Sequence, residues 1–297
     1  MRRIIAASLA FIGILHVEQI LACATCLCGD PTITTMGAEK PFAGRLRIGV
    51  DALTRGESVG EPGVDGQDID ETRITYSLSY APSADWIIAA SLPYVNKEVR
   101  RFDLSHERAS GLGDADLSAR WYLRDAAQIP ARHLWGLQFG VRVPTSSEQK
   151  SNGVAIDIDA QPGGGATIPN LGVWYGYFRT PSLFYLSAAY QHAVDEGYQG
   201  YEAGDVMLMT AHAQYAPGGD GLALSFSLDA RSKERDHYSG VVDPDSGGVL
   251  VMATPGIVWM PLTDLVVNLS YQIPAIENLR GRQEEDPVFR IGVTYDL

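Results

Sequence analysis

Apolar and polar residues alternate along most of the chain after Pro41, in segments of about ten residues separated by turn or loop signals. One face of the clearest early segment carries Trp86, Ile88, Ala90 and Tyr94. Successive side chains of a strand point to opposite faces, so this period of two separates an apolar face from a polar one. Such segments are typical of strands that contact lipid on one side and water on the other.

About 12 alternating segments can be counted by this pattern. The six clearest lie at 86–94, 114–123, 137–143, 222–229, 265–273 and 289–297, and six weaker ones lie near Leu46, Ile74, Val173, Phe184, Met207 and Val251. Bacterial outer-membrane barrels have an even number of antiparallel strands. The pattern therefore predicts an all-β fold, a closed antiparallel transmembrane β-barrel of about 12 strands with a polar lumen.

The predicted connections between the segments alternate in length. Residues 82–85 and 261–264 are predicted to be tight turns. Long, charged, glycine-containing loops are predicted at 55–70, 97–110, 146–165 and 233–248. Short turns at one rim and long loops at the other are typical of outer-membrane barrels, so residues 41–297 are predicted to form one barrel.

A soluble β-sandwich or lipocalin-like barrel is the alternative, and in it the apolar faces would point inward. The membrane interpretation is favoured by aromatic residues near the ends of many apolar faces, as expected of interfacial girdles. It is also favoured by arginines that fall on the polar faces: Arg45, Arg47, Arg73, Arg120, Arg142, Arg231 and Arg290. A soluble protein could hold these arginines on its outer surface, so both alternatives stay open at this point.

The first residues have the pattern of an export signal rather than of a folded element. Arg2 and Arg3 precede an apolar stretch at 4–15, and small residues at Ala22 and Ala24 suit cleavage. We predict a signal peptide at 1–24, cleaved near 22–24. Beyond it no run of 18 apolar residues occurs, so the pattern does not favour a helical membrane protein.

The bulk composition excludes two broad classes. The 297 residues carry a net charge of −13, which would repel a polyanion and argues against nucleic-acid binding. Hydrophobic residues make up 45 % and charged residues 20 %, a composition too apolar for a disordered chain.

All the cysteines of the chain lie in one short stretch, at Cys23, Cys26 and Cys28. The last two belong to the segment 25–40, which is a candidate plug or tether. Thiolates at this spacing could hold copper or zinc, although two or three ligands leave the coordination shell incomplete. In a second interpretation Cys23 ends an imperfect lipoprotein box and is acylated. In a third, Cys26 and Cys28 form a disulfide in the oxidising periplasm. Otherwise no cofactor is predicted.

Little in the sequence points to catalysis. His-Glu-x-x-His and Gly-x-x-x-x-Gly-Lys are both missing from it. Asp236 beside His237 and Ser105 beside His106 fall in predicted outer loops, where solvated side chains are the simpler interpretation. We therefore predict a protein that is not an enzyme.

The last strand ends in a polar-x-Gly-x-x-apolar-x-apolar pattern formed by Arg290, Gly292, Tyr295 and Leu297. This pattern resembles the terminal signal recognised by the outer-membrane barrel assembly machinery, although phenylalanine is more usual than leucine at the last position. The resemblance implies that this machinery is a partner of the chain, together with outer-membrane lipid.

Several internal motifs resemble the MetA-pathway phenol-degradation family of outer-membrane barrels, whose members are also described as transporters. The motifs lie at 111–114 before the strand at 117–122, and at 141–145, 161–165, 201–205 and 254–256. The resemblance covers the chain from about Pro41 to its end. The resemblance implies an outer-membrane location and movement of hydrophobic or aromatic small molecules, whereas the cysteine-containing start departs from the family.

Two functions remain open at this point. The first is an outer-membrane channel for small solutes, whose selectivity would be set by lumen-facing charges: Asp51, Asp114, Asp116, Arg120, Arg142, Asp229 and Arg290. His212 also falls on a polar face, where a structural histidine is the simpler interpretation. The second is a surface binding or assembly protein in which the barrel anchors the loops or the cysteine segment.

Overall fold

Twelve antiparallel strands close into one barrel. The computed structural model describes residues 42–64, 66–123, 132–218 and 221–297. The sheet holds 14 segments, and β4 and β12 are each split in two, which leaves twelve strands. They are β1 (Leu46–Val59), β2 (Gln67–Ser83), β3 (Trp86–Arg101), β4 (His106–Leu112 and Ala115–Leu123), β5 (His133–Val143), β6 (Ile168–Arg179), β7 (Ser182–Gln191), β8 (Val206–Gly218), β9 (Leu222–Lys233), β10 (Gly248–Leu262), β11 (Leu265–Leu279) and β12 (Gln283–Glu285 and Val288–Asp296).

The first and last strands pair directly and complete the sheet. Their register runs from Arg47 opposite Asp296 to Thr54 opposite Phe289, and β12 also pairs with β11. Closure leaves no unpaired strand edge, which is the condition for a sheet to span a lipid bilayer. The predicted fold, including all twelve strand positions, is confirmed.

The two faces of the barrel differ in chemistry as predicted. On β1, Ile48 and Val50 point outward and are exposed, whereas Arg47 and Asp51 point inward and are buried. Large apolar side chains are exposed on every strand in this way. This continuous apolar outer surface requires surrounding lipid. The soluble alternative is therefore wrong. The chain is an outer-membrane barrel of the Gram-negative type.

The two rims carry different connections. Tight turns join β2 to β3, β6 to β7 and β10 to β11, as predicted for 82–85 and 261–264. At the opposite rim, which we call the loop end, the long connections 144–167, 192–205 and 234–247 hold short elements of their own. These elements are the 3-10 turns Ile158–Ala160 and Tyr198–Gly200, the hairpin Lys150–Ser151 with Val154–Ala155, and a small sheet of Tyr201–Glu202, His237–Tyr238 and Val241–Val242.

Two of the predicted long loops are mostly strand. Strand β1 continues to Val59 and β2 begins at Gln67, so only 60–66 of the predicted loop 55–70 lies outside the barrel wall. Likewise β3 ends at Arg101 and β4 begins at His106. The prediction was wrong here because charged residues were interpreted as loop, whereas the structure pairs them across strands and with one another.

No helix among the described residues has the length and apolar composition needed to cross a membrane. The predicted signal peptide 1–24 and the segment 25–40 lie outside the described residues, as do Cys23, Cys26 and Cys28.

Candidate functional site

At the turn end the lumen holds a packed cluster of inward-facing side chains from β2 to β7, which we call the aromatic floor. Trp174 of β6 and Tyr185 of β7 stack with ring centroids 6.1 Å apart, and Tyr122 of β4 meets Trp174 edge-on at 4.8 Å. All three point inward and are almost fully buried. The floor is completed by Ala81, Ile87, Ala89, Leu134 and Leu183.

Arg120 is the single charged side chain that we include in the aromatic floor. Its guanidinium carbon lies 5.1 Å from the ring of Trp174 and 5.7 Å from that of Tyr185, and its Nη2 donates to the Tyr185 hydroxyl at 3.3 Å. A guanidinium can be buried against aromatic faces because the ring quadrupole attracts the cation. Arg120 has no solvent-exposed surface, so it acts as part of the floor packing.

A glycine allows the backbone of β4 and the indole of Trp174 to lie close to β5 at the aromatic floor. A Cβ at Gly136 of β5 would lie 1.8 Å from the carbonyl oxygen of Trp121 and 3.0 Å from the indole nitrogen of Trp174. The missing side chain therefore leaves the space into which the indole of Trp174 fits.

The seam between β1 and β12 is joined by inward-facing ion pairs. At the turn end, Asp296 accepts from Arg45 at 2.5 Å and from Arg47 at 2.6 and 2.9 Å. Further along, Arg290 donates to Asp51 at 2.7 Å. Buried charges of this kind are tolerated because each has a close partner of opposite sign.

The loop end of the lumen holds a cavity of about 420 Å³, which we call the mouth cavity. It is lined mainly by polar and charged side chains from the strand walls and from the three long connections. The basic members are Arg55, Arg73, Lys97, Arg142, Arg231 and Lys233. A second, smaller space continues inward past Arg142 and Asp116 to Ser187 and Gln138.

Three cations surround one carboxylate on the wall of the mouth cavity. Glu71 of β2 lies 2.7 Å from Arg73 Nε, 3.1 Å from Arg55 Nη2 and 4.0 Å from Lys97 Nζ. Sequence reasoning missed this cluster because Arg55 and Lys97 fell in predicted loops. The signal that could have found it is the continued alternation of residue types through 55–59 and 97–101.

The connection 144–167 folds over the mouth cavity and is held there by Asp114. This carboxylate lies where β4 is interrupted and accepts from the Ser146 hydroxyl at 2.6 Å, the Ser146 amide at 3.1 Å and the Gly165 amide at 3.0 Å. The Tyr198 hydroxyl donates to the Ser146 carbonyl at 2.7 Å and so joins the next connection. Asp114 therefore attaches the connection 144–167, and Tyr198 joins this connection to 192–205.

The same connection brings a carboxylate into the mouth cavity. Asp159 accepts from Gln67 Nε2 at 2.9 Å and lines the cavity. Burial and the neighbouring charge of Asp157 raise the pKa of Asp159 above its ordinary value, although Lys97 opposes this. Protonation of Asp159 is thus easier with the connection in place.

The predicted selectivity residues all face the lumen, but the structure does not gather them into one site. Asp116 and Arg142 pair at 3.0 Å in the mouth cavity, near Asp114. The others are distributed among the floor (Arg120), the seam (Asp51 and Arg290) and β9, where Asp229 accepts from Thr210 at 2.9 Å and Thr254 at 3.2 Å. A role of these residues in selectivity stays a prediction.

Two further predictions concern residues with other roles. His212 faces inward and its Nδ1 lies 2.6 Å from the Ser227 hydroxyl, as expected of a structural histidine. In the terminal pattern Arg290 and Gly292 face the lumen, whereas Tyr295 and Leu297 are exposed outside. Recognition of this pattern by the barrel assembly machinery stays a prediction.

A metal centre was predicted only at the cysteines, outside the described residues. Within the described part of the chain, no group of three or more His, Cys, Asp or Glu side chains is placed to hold a metal ion. Copper or zinc at Cys26, Cys28 and a retained Cys23 stays a prediction.

Comparison with protein-family models finds no match, and no curated protein matches the sequence. Among solved structures, the chain is similar to an outer membrane channel from Pseudomonas putida F1, with a TM-score of 0.64 and 11 % identity over 86 % of this chain and 96 % of the channel. It is also similar to the translocator domain of the autotransporter NalP from Neisseria meningitidis, with a TM-score of 0.50 and 12 % identity over 87 % of this chain and 90 % of that domain. At these identities the likeness shows the fold.

Proposed function

We propose that the protein is an outer-membrane channel for small solutes. The observation that carries the proposal is the mouth cavity, a space of about 420 Å³ with charged walls that opens from the loop end into a polar lumen. Its size is in the range of cavities that hold small organic molecules. The described channel from Pseudomonas putida F1 shares the fold and supports the proposal. The family resemblance supports hydrophobic or aromatic compounds among the solutes.

The aromatic floor gives this channel a closed state. Solutes that enter the mouth cavity meet the packed side chains of Trp174, Tyr185 and Arg120 before they can reach the turn end. Passage therefore requires these side chains to move, and the channel is gated rather than a permanently open porin. Selectivity in such a lumen is set by its charged groups, of which Arg142 and Asp116 line both the mouth cavity and the smaller space that continues inward.

Planar-bilayer recording of the purified barrel tests the proposal. We expect small conductance steps, and we expect Arg142→Ala to shift the reversal potential in a salt gradient because it leaves Asp116 unpaired in the path. Arg120→Ala is expected to change the step size through the floor packing. A barrel that migrates as folded but passes no ions in any variant would contradict channel function.

The aromatic floor also favours a second candidate function, a barrel that anchors a surface binding or assembly protein. A lumen that stays closed would leave the long connections, or the predicted soft-metal site in the cysteine segment, as the functional part. In that case bilayers would show no conductance, while the purified protein would retain binding of copper or zinc that Cys26→Ser and Cys28→Ser abolish.

A further inference from the structure

Two ion pairs of the mouth cavity place the carboxylate behind and the cation in front. The Glu71 side chain is 1 % exposed, whereas that of its partner Arg73 is 35 % exposed. In a second pair, Glu285 is 5 % exposed and its partner Arg231, at 2.7 Å, is 39 % exposed. A solute in the cavity therefore meets the guanidinium groups before the carboxylates.

We infer that the mouth cavity is a binding site for a small organic anion, a carboxylate with an aliphatic part. The inference rests on the proposed channel function and names the class of solute. Guanidinium groups hold carboxylates by charge-assisted, often bidentate, hydrogen bonds. Arg73 and Arg231 each keep a carboxylate partner when the site is empty, and that partner lies against the wall.

Three acidic residues that line the mouth cavity already have hydrogen-bond or ion-pair partners of their own. Asp236 is paired with Lys233 at 2.7 Å, and Asp243 accepts from the Asp245 amide at 3.0 Å. Asp114 is bound to the connection over the cavity, as described above. The strand wall, in contrast, presents Arg73 and its neighbours to the open space.

The remaining lining favours an amphipathic anion over an inorganic one. Ile69, Ile158, Ile168, Pro93 and Leu208 line the same cavity as the cations. Burial of apolar surface against these side chains would add to the ion pair. A chloride or phosphate ion could use only the charged part of the site.

Hexanoate and hexanamide, which match in shape and differ in charge, are suitable probes. Their binding to the purified full-length protein in detergent is measured by isothermal titration calorimetry, after heat-modifiable gel migration has shown that each variant is folded. We expect hexanoate to bind at least about tenfold more tightly than hexanamide. We expect Arg73→Gln to weaken hexanoate binding about tenfold, because Glu71 keeps Arg55 and Lys97 while the exposed cation is lost.

Arg100→Gln is the matched control. Arg100 is also an ion-paired arginine of the same region, but it lies on the outward face and contacts Asp70 at 2.5 Å. We expect Arg100→Gln to leave hexanoate binding unchanged. Arg231→Gln is the second test variant, for use if Arg73→Gln does not fold. Equal binding of the two probes, failure of hexanoate to bind, or a folded cavity variant with wild-type affinity would overturn the inference.

Conductance of the same preparations separates this inference from the proposed function. If the protein conducts ions but binds hexanoate no more tightly than hexanamide in calorimetry, the anion site is rejected and the channel function stands. Hexanoate binding that depends on Arg73, without conductance, would reject the channel and leave the anion site as the binding site of an anchored protein.

Discussion

The two ends of the lumen accommodate inward-facing charged residues in different ways. At the turn end, Trp174 and Tyr185 bury the charge of Arg120 between aromatic faces and leave no room for solvent around it. At the loop end, Arg73 and Glu71 pair beside an open cavity. The same residue type, arginine, is therefore a packing element at one end and a solute-facing group at the other. Its surroundings, rather than its position on the lumen face, decide its role.

The largest expected effect is the loss of the floor indole. Trp174→Ala should lower the free energy of unfolding by about 4 kcal/mol, since it removes a fully buried aromatic side chain from a packed cluster. Equilibrium guanidinium unfolding in detergent measures this loss. Trp121→Ala is the control, because Trp121 stacks on Trp86 at 5.7 Å on the lipid-facing surface and should cost clearly less. Equal losses of unfolding free energy in Trp174→Ala and Trp121→Ala would mean that the aromatic floor is not a packed core.

The seam at the turn end should be nearly as sensitive. Asp296→Asn leaves the buried guanidinium groups of Arg45 and Arg47 without their carboxylate, and we expect it to cost about 3 kcal/mol of unfolding free energy. Asp70→Asn breaks the exposed pair with Arg100 and should cost less than about 1 kcal/mol. If both substitutions cost the same in guanidinium titrations, the turn end is more solvated than the structure implies.

A smaller, local effect is expected at the loop end. Asp114→Asn removes the anion that accepts from Ser146 and Gly165, which should weaken the attachment of 144–167 by about 2 kcal/mol without unfolding the barrel. Limited proteolysis of folded protein should then cut this connection faster. Asp103→Asn is the control, because this carboxylate accepts from Ser105 in the exposed turn between β3 and β4. Identical cleavage rates in both variants would exclude Asp114 as the attachment.

The smallest effect concerns pH. Since burial raises the pKa of Asp159 in the folded state, folding of the connection onto the cavity gains stability at low pH and loses it as the pH rises through that raised value. Lowering the pH from about 7 to about 4 should therefore slow proteolysis of 144–167 by an acid-tolerant protease, and Asp159→Asn should abolish the dependence. The proteolysis rate of the wild type is compared with that of an unfolded substrate at each pH. An increase in this relative rate on acidification would contradict the expected direction of the pH dependence.

Alternation was enough to predict the barrel. Period two placed every strand, and it placed Asp51, Asp116, Arg142 and Arg290 in the lumen, because one face of each strand must contact lipid. It could not predict the aromatic floor, because a tryptophan on the polar face, such as Trp174, has no signature that separates it from an interfacial tryptophan.

The sequence also could not predict which charged residues contact one another. Residues Arg55, Glu71 and Lys97 belong to three different strands and meet only through register. Asp114 could be predicted to face the lumen, but its contact with Gly165 spans 51 residues of chain and depends on how the connection folds over the cavity.

The most direct test of the account is single-channel conductance in planar bilayers of the wild type, Trp174→Ala and Trp121→Ala. The account predicts small, infrequent openings in the wild type, a several-fold larger or more persistent conductance when the floor indole is removed, and wild-type behaviour when the outer-face Trp121 is removed. Folded barrels that remain equally silent in all three would contradict a channel gated by the aromatic floor.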